Sequence, residues 1–326
     1  MRAWVVQEFG AAGDVLKIED APTREPGPGE VVVDYAAASL GFADNVVIAG
    51  NYQIQPQPPF TPGFEGAGTV SAVGPDVTGV EPGQRAIALP DLGEGVFREQ
   101  GVAPAVRIHP IPDTLPFEQA AAMFVPYQTA MLALHRRARL ETGETVVVHG
   151  AAGGVGSAAI QVAHAHRARV IACALNAEHA RLCEKQGADR GVDMSSEDFV
   201  AVVKEMTGGR GADVIIDPVG GDVFEQSIRC IAPEGRLVVI GFAGGAPGEL
   251  KLNHLLVKNF SVVGCFFGPG ELTVRLNREN HERLMQMQAE GKITPLISEV
   301  IPFEEIPAAL AKIAAGASYG KIVATI

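Results

Sequence analysis

The clearest chemistry in this chain lies in Gly150-Ala151-Ala152-Gly153-Gly154-Val155-Gly156. The β-branched run Thr145-Val146-Val147-Val148 precedes it, and the apolar run Val155 to Ala165 follows. That pattern predicts a buried strand turning sharply into a helix. Glycine lets the main chain approach a pyrophosphate, while the free N–H groups and the dipole of a helix start favour an anion. Ala151 takes the place of the first glycine, so the match is A-x-G-x-x-G. The context strengthens the match: strand before, helix after, and a second strand Val170-Ile171-Ala172-Cys173 about twenty residues on. A dinucleotide is therefore expected on Gly153, Gly154, Val155 and Gly156. The competing reading, a tight turn without a ligand, explains less of this context.

The end of that second strand bears on which dinucleotide. Sites that prefer NAD carry Asp or Glu there, on the ribose hydroxyls. Here the strand runs out through Cys173-Ala174-Leu175-Asn176, with no acid to repel a 2′-phosphate. Asn176, His179 and Arg181 are the nearby donors, and a protonated imidazole would bind phosphate. Arg181 reads equally well as a solvated helix residue. The expectation is NADPH, with a modest preference.

Other chemistries find no constellation. Cys173, Cys183, Cys230 and Cys265 form no C-x-x-C pair and no disulfide framework, and suit small buried hydrophobes in a reducing cytoplasm. The eight histidines show no metal spacing. His164 and His166 point to different helix faces, and His149 reads as a core residue at a strand end. No Ser/His/Asp or Cys/His nucleophile arrangement is visible. With 26 Lys plus Arg against 38 Asp plus Glu, the net charge of −12 disfavours nucleic acid and anionic membranes. Residues 145–166 carry no Asp, Glu, Lys or Arg, a length that could cross a bilayer. Glycines and histidines interrupt the run, so no membrane segment is expected. The N-terminus has no signal-peptide layout.

Two textures must position these residues. From Met1 to about Ile111, short β-branched runs such as Val31-Val32-Val33 and Gly68-Thr69-Val70 alternate with Gly/Pro turns. They predict a compact β domain. From Pro116, buried strands alternate with helices, including one over Leu115 to Leu140. Strands without polar alternation predict a parallel sheet covered on both faces. For 326 residues, two domains are expected.

Several motifs, in order along the whole chain, resemble the zinc-free quinone oxidoreductase family of the medium-chain dehydrogenase/reductases. Gly143-Glu144, the glycine turn and Gln161 match that family's signature, as do Gly27-Pro28-Gly29-Glu30-Val31, Pro62-Gly63-Phe64-Glu65-Gly66-Ala67-Gly68 and Glu81-Pro82-Gly83-Gln84-Arg85. So do Gly208-Gly209-Arg210-Gly211-Ala212-Asp213-Val214, Asp217-Pro218-Val219-Gly220-Gly221 and the closing Tyr319-Gly320-Lys321-Ile322-Val323. The resemblance implies an α/β chain: a GroES-like β-barrel catalytic domain over 1–115 and 266–326, and a Rossmann doubly wound domain over 116–265. It further implies cofactor contacts from Thr129, Val219, Phe242, Phe266 and Phe267.

In zinc-dependent relatives a Cys and a His stand where this chain has Gly41 and Phe64, so no metal is expected. A lone Glu65 reads as a hydrogen-bond acceptor. Without a metal to polarise a ketone, an acceptor must already be activated, as a quinone or a carbonyl-conjugated alkene is. Tyr52, in the family's G-x-Y, either hydrogen-bonds that acceptor as the catalytic group or simply packs. Departures at Gly41 (often Asn) and Ala49 (often Arg) remove two polar groups from the expected substrate side; where some members contact the 2′-phosphate with Lys and Tyr, this chain has His179, which binds phosphate when protonated, and Met194, which cannot. The expected activity is NADPH-dependent quinone reduction. An enoyl or 2-alkenal reductase is the enzyme alternative, and a crystallin-type binding protein the non-enzyme one. A small-molecule substrate and a homodimer through the edge strand Ser261-Val262-Val263-Gly264 complete the expectation.

Overall fold

The computed structural model describes residues 1–268 and 270–326, with Glu271 as backbone only, and among the described residues the chain forms fifteen strands. In chain order they are β1 Arg2–Val6, β2 Leu16–Asp20, β3 Glu30–Leu40, β4 Glu65–Val73, β5 Arg85–Ala88, β6 Gln100–Pro104 and β7 Ile108–Pro110. Then come β8 Thr145–Val148, β9 Arg169–Ala174, β10 Arg190–Asp193, β11 Ala212–Asp217, β12 Ile231–Val239, β13 Ser261–Gly264, β14 Ile297–Pro302 and β15 Lys321–Thr325.

Two units emerge. The first comprises Met1–Val125, Val274–His281 and Pro295–Ile326; the second comprises Pro126–Thr273 and Glu282–Thr294. In the first, a seven-stranded sheet runs β14-β15-β3-β4-β5-β7, with β6 also on β3. Its register sets Ser39 of β3 opposite both Glu65 of β4 and Val323 of β15. The chain's last strand thus lies beside its third. Trp4, Val31, Val33, Leu40, Phe97, Phe303, Leu310 and Ile322 fill the core of this unit. Each such side chain contributes roughly 1.5–3 kcal/mol through burial.

In the second unit, six parallel strands are ordered β10-β9-β8-β11-β12-β13. Counted within the sheet this is 3-2-1-4-5-6, the doubly wound order. Strands such as Val146-Val147-Val148 and Val214-Ile215-Ile216 are fully buried because helices cover both faces. The α/β fold class expected from the sequence is the one observed.

The helix expected over Leu115 to Leu140 is broken into Phe117–Ala121, Phe124–Met131 and a π-helical turn Leu132–Arg137. Pro126 explains the restart. It has no N–H to donate, so it is tolerated only in a first turn, where that N–H has no intrahelical partner. No helix among the described residues is long and apolar enough to cross a membrane.

Candidate functional site

In the second unit, three strand ends converge on the glycine turn. His149 N–H donates to Ile216 O of β11 at 3.0 Å, and Ala151 N–H to Cys173 O of β9 at 3.1 Å. Gly150, at φ +54, makes the left-handed bend, and Gly153 N–H closes it onto Gly150 O at 2.9 Å. A Cβ on Gly156 would lie 2.3 Å from Gly150 O and 2.7 Å from Ala151 Cα, so only glycine fits. The helix Gly154–Ala165 then starts on Gly153, which offers no capping side chain. Its first N–H groups therefore have no intrahelical partner. Gly153, Gly154 and Val155 are half-buried, while Gly156 and the helix as far as Ala163 are buried. Main-chain donors are thus presented at the surface of the turn.

The strand order reverses between β8 and β11, and in such sheets ligands bind at the carboxyl ends beside that reversal. The glycine turn leaves β8 there, and Asp217 ends β11. Asp217 Oδ1 accepts the N–H groups of Val219 and Gly220 at 2.8 and 2.9 Å. Its Oδ2 is buried with no hydrogen-bond partner, and burial pushes the carboxyl above its ordinary range. A Cβ on Gly150 would sit 3.4 Å from Val219 Cγ2, and one on Gly220 would meet the Phe242 ring at 2.9 Å. Val219 therefore lies against the turn at Gly150, and Phe242 lies against Gly220, the residue after Val219.

The remaining expected cofactor residues fall in the same unit. Phe266, exposed, and Phe267, half-buried, follow β13 at its carboxyl end. Asn176 caps the helix Ala177–Lys185, its Oδ1 accepting His179 N–H at 2.9 Å. That leaves the Asn176 oxygen occupied with the helix start, while Arg181 is exposed one turn on. Thr129 is buried two residues from Tyr127, whose hydroxyl donates to Gln161 Oε1 at 2.9 Å. Gln161 also pairs with the main chain of Thr294 at 2.7 and 2.9 Å, so it clamps the helix that follows the glycine turn. His149, read as a core residue, bonds Ser227 Oγ through Nε2 at 2.8 Å while its Nδ1 has no partner. All four cysteines are free and buried.

The first unit holds Tyr52, half-buried, with its ring edge-on to Phe64 at 5.5 Å. Burial, and secondarily the charge of Asp44, raise its phenol above the usual range, so it stays a neutral donor. Beside it lies a cluster that motif reading missed. Glu65, at 1 % exposure, accepts from Ser39 Oγ at 3.0 Å and Val125 N–H at 2.7 Å, and lies 3.3 Å from Lys321 Nζ. Asp44, at 2 % exposure, accepts Gly41 N–H at 2.7 Å through Oδ2, while Oδ1 is without a partner. Asp44 and Lys321 are far apart in sequence. The only signal for their meeting was the pairing of β15 with β3.

These donors do not fit a zinc ion. The positions equivalent to a Cys and a His ligand hold Gly41 and Phe64, and Glu65 already faces an ammonium. Among the described residues, no group of three His, Cys, Asp or Glu could hold a metal.

Comparison with known proteins agrees with this architecture. Residues 27–113 match the alcohol dehydrogenase GroES-like domain, and residues 154–286 match a model described as zinc-binding dehydrogenase. Quinone oxidoreductase-like protein 2 of Rattus norvegicus is 37% identical over 95% of this chain and 89% of its own length. A probable oxidoreductase from Mycobacterium abscessus is 36% identical with TM-score 0.88, covering 100% of this chain and 99% of its own. Escherichia coli quinone oxidoreductase complexed with NADPH is 27% identical with TM-score 0.91, over 100% of both chains. The chain belongs to the quinone oxidoreductase family of the medium-chain dehydrogenase/reductase superfamily, an oxidoreductase built from a GroES-like domain and a Rossmann domain.

Proposed function

We propose that the protein is an NADPH-dependent oxidoreductase that passes a hydride, without zinc, to a quinone or another acceptor conjugated to a carbonyl. One observation carries this reading: the glycine turn at the sheet's reversal point, followed by a second strand that ends without an acid. The NADPH complex of the E. coli neighbour supports the same cofactor. The main-chain N–H groups of Gly153, Gly154, Val155 and Gly156 would take the pyrophosphate. Asn176, His179 and Arg181 would meet the 2′-phosphate, and Thr129, Val219, Phe242, Phe266 and Phe267 would flank the dinucleotide. When bound, the cofactor supplies the hydride. Tyr52, kept neutral, donates a hydrogen bond to the acceptor oxygen as it gains charge. In this reading residues 116–265 carry the cofactor, and 1–115 with 266–326 carry the acceptor. The buried free cysteines suit a cytoplasmic location.

Oxidation of NADPH against matched sets of quinones, enones, enoyl thioesters and saturated ketones tests the function. Turnover with quinones or enones is expected. Turnover restricted to enoyl thioesters would move the chain to the alkene-reductase reading, and turnover with saturated ketones alone would refute the activated acceptor. We further propose a dimer through β13, an edge strand of largely exposed residues. Leu252, Leu256 and Val257, just before it, are 75%, 78% and 82% exposed. Sedimentation at micromolar concentration should show a dimer; a monomer would contradict it.

A further inference from the structure

Two turns at the carboxyl ends of β11 and β12 are built on one side chain. Asp217, at 0% exposure, ends β11, and register sets it beside Val239 of β12. The chain then turns through Pro218-Val219-Gly220 into the helix Gly221–Cys230. Pro218 has no N–H, so the main-chain donors of this turn belong to Val219 and Gly220. Asp217 Oδ1 accepts both, at 2.8 and 2.9 Å. The carbonyls of the same turn serve the neighbouring strand end. Asp217 O accepts the Ile240 N–H at 2.8 Å, Pro218 O that of Ala243 at 3.0 Å, and Val219 O that of Gly244 at 2.9 Å. A Cβ on Gly220 would meet the Phe242 ring at 2.9 Å, and one on Gly244 would meet Val219 O at 3.0 Å. The second turn therefore lies directly on the first.

A carboxylate that only capped the following helix would accept from its second or third N–H. Asp217 instead accepts from the two residues before the helix, so it shapes the turn. Its Oδ2 is buried without a partner, and burying an unsatisfied polar atom costs stability. An apolar residue would avoid that cost and give up both N–H groups. The chain bears the cost at the one point from which both turns are organised.

We propose that Asp217 is a positioning residue for the dinucleotide: through Oδ1 it holds the turns at 218–220 and 242–245 as one body, with Val219 and Phe242 set in place before the cofactor arrives. This rests on the function proposed above, in which Val219 and Phe242 flank the dinucleotide. Without the acceptor oxygen, the Val219 and Gly220 N–H groups turn to water and the turn samples several conformations. Part of the binding free energy then goes into re-ordering it. Once the cofactor is seated, the hydride step is untouched.

Hydrogen exchange of the cofactor-free wild type tests the scaffold and needs no substitution. The amides of Val219, Gly220, Ala243 and Gly244 should be protected and open together, and NADPH should slow all four. Val219 and Gly220 protected beside freely exchanging Ala243 and Gly244 would overturn the single body, and this result decides even where a variant fails to fold. Binding and turnover test the role. Asp217→Ala should raise the Kd and KM for NADPH about ten- to a hundredfold, with kcat at saturating NADPH changed by less than about threefold. Asp217→Asn keeps an acceptor oxygen and should restore the affinity to within about threefold of wild type. Val203→Ala, a buried change in the helix Phe199–Met206, should lower the urea midpoint and leave the affinity alone. Asp217→Ala with wild-type affinity, or Val203→Ala with an equal loss of affinity, overturns positioning. Asp217→Asn as weak as Asp217→Ala overturns the role of Oδ1. A wild type with four protected amides that binds no NADPH overturns the proposed cofactor and leaves the scaffold standing.

Discussion

The glycine turn of the second unit and the ionic cluster of the first are built in opposite ways. The turn is made of main chain: its donors are N–H groups, and its side chains matter chiefly by being absent. The cluster is made of side chains from Asp44, Glu65 and Lys321, joined through strand register. A main-chain site depends on local geometry and tolerates no added atom. A side-chain site depends on charge balance and tolerates the loss of any member badly.

Removing the ammonium should produce the largest effect. Lys321→Met leaves Glu65 facing no cation at 2% side-chain exposure, and breaking a buried pair in this way costs about 3–5 kcal/mol. Chemical unfolding would measure it; a loss under about 1 kcal/mol, typical of exposed pairs, would show the cluster to be solvated. Next comes the turn. Gly156→Ala forces a Cβ against main chain that has nowhere to move, at about 1–3 kcal/mol, and NADPH binding should disappear. Gly154→Val should also abolish binding while the first unit stays folded; retention of binding in both would mean the turn is not the phosphate site. The smallest effect concerns cofactor choice. His179→Ala and Arg181→Ala should each lower the preference for NADPH over NADH by less than about tenfold, since one exposed charge-assisted contact is worth about 1 kcal/mol. Competitive binding of the two dinucleotides measures it, and a clear wild-type preference for NADH would refute the 2′-phosphate contact.

The same contrast explains what could be read beforehand. The turn from Gly150 to Gly156, the strands flanking it and the alternation of buried strands with helices follow from patterns within a few tens of residues. Val219 packs on Gly150, and Phe242 on Gly220, because neither glycine has a Cβ to keep them off. Pro126 was visible in sequence, yet a long apolar run masked its power to restart the helix. Asn176 was expected as a ligand donor, and its side-chain oxygen turns out to cap a helix. Glu65 was read as a lone acceptor because nothing local announces that β15 returns beside β3 with Lys321 at its start. Asp44, in an ordinary helix-start position, gains its character only from that return.

The most direct measurement uses metal-stripped protein. NADPH is titrated by its fluorescence, and then a quinone, an enone and the matching saturated ketone are added in turn. The prediction is binding, followed by oxidation with the quinone or enone and none with the ketone. Failure to bind NADPH, or turnover that appears only when zinc is restored, would contradict it.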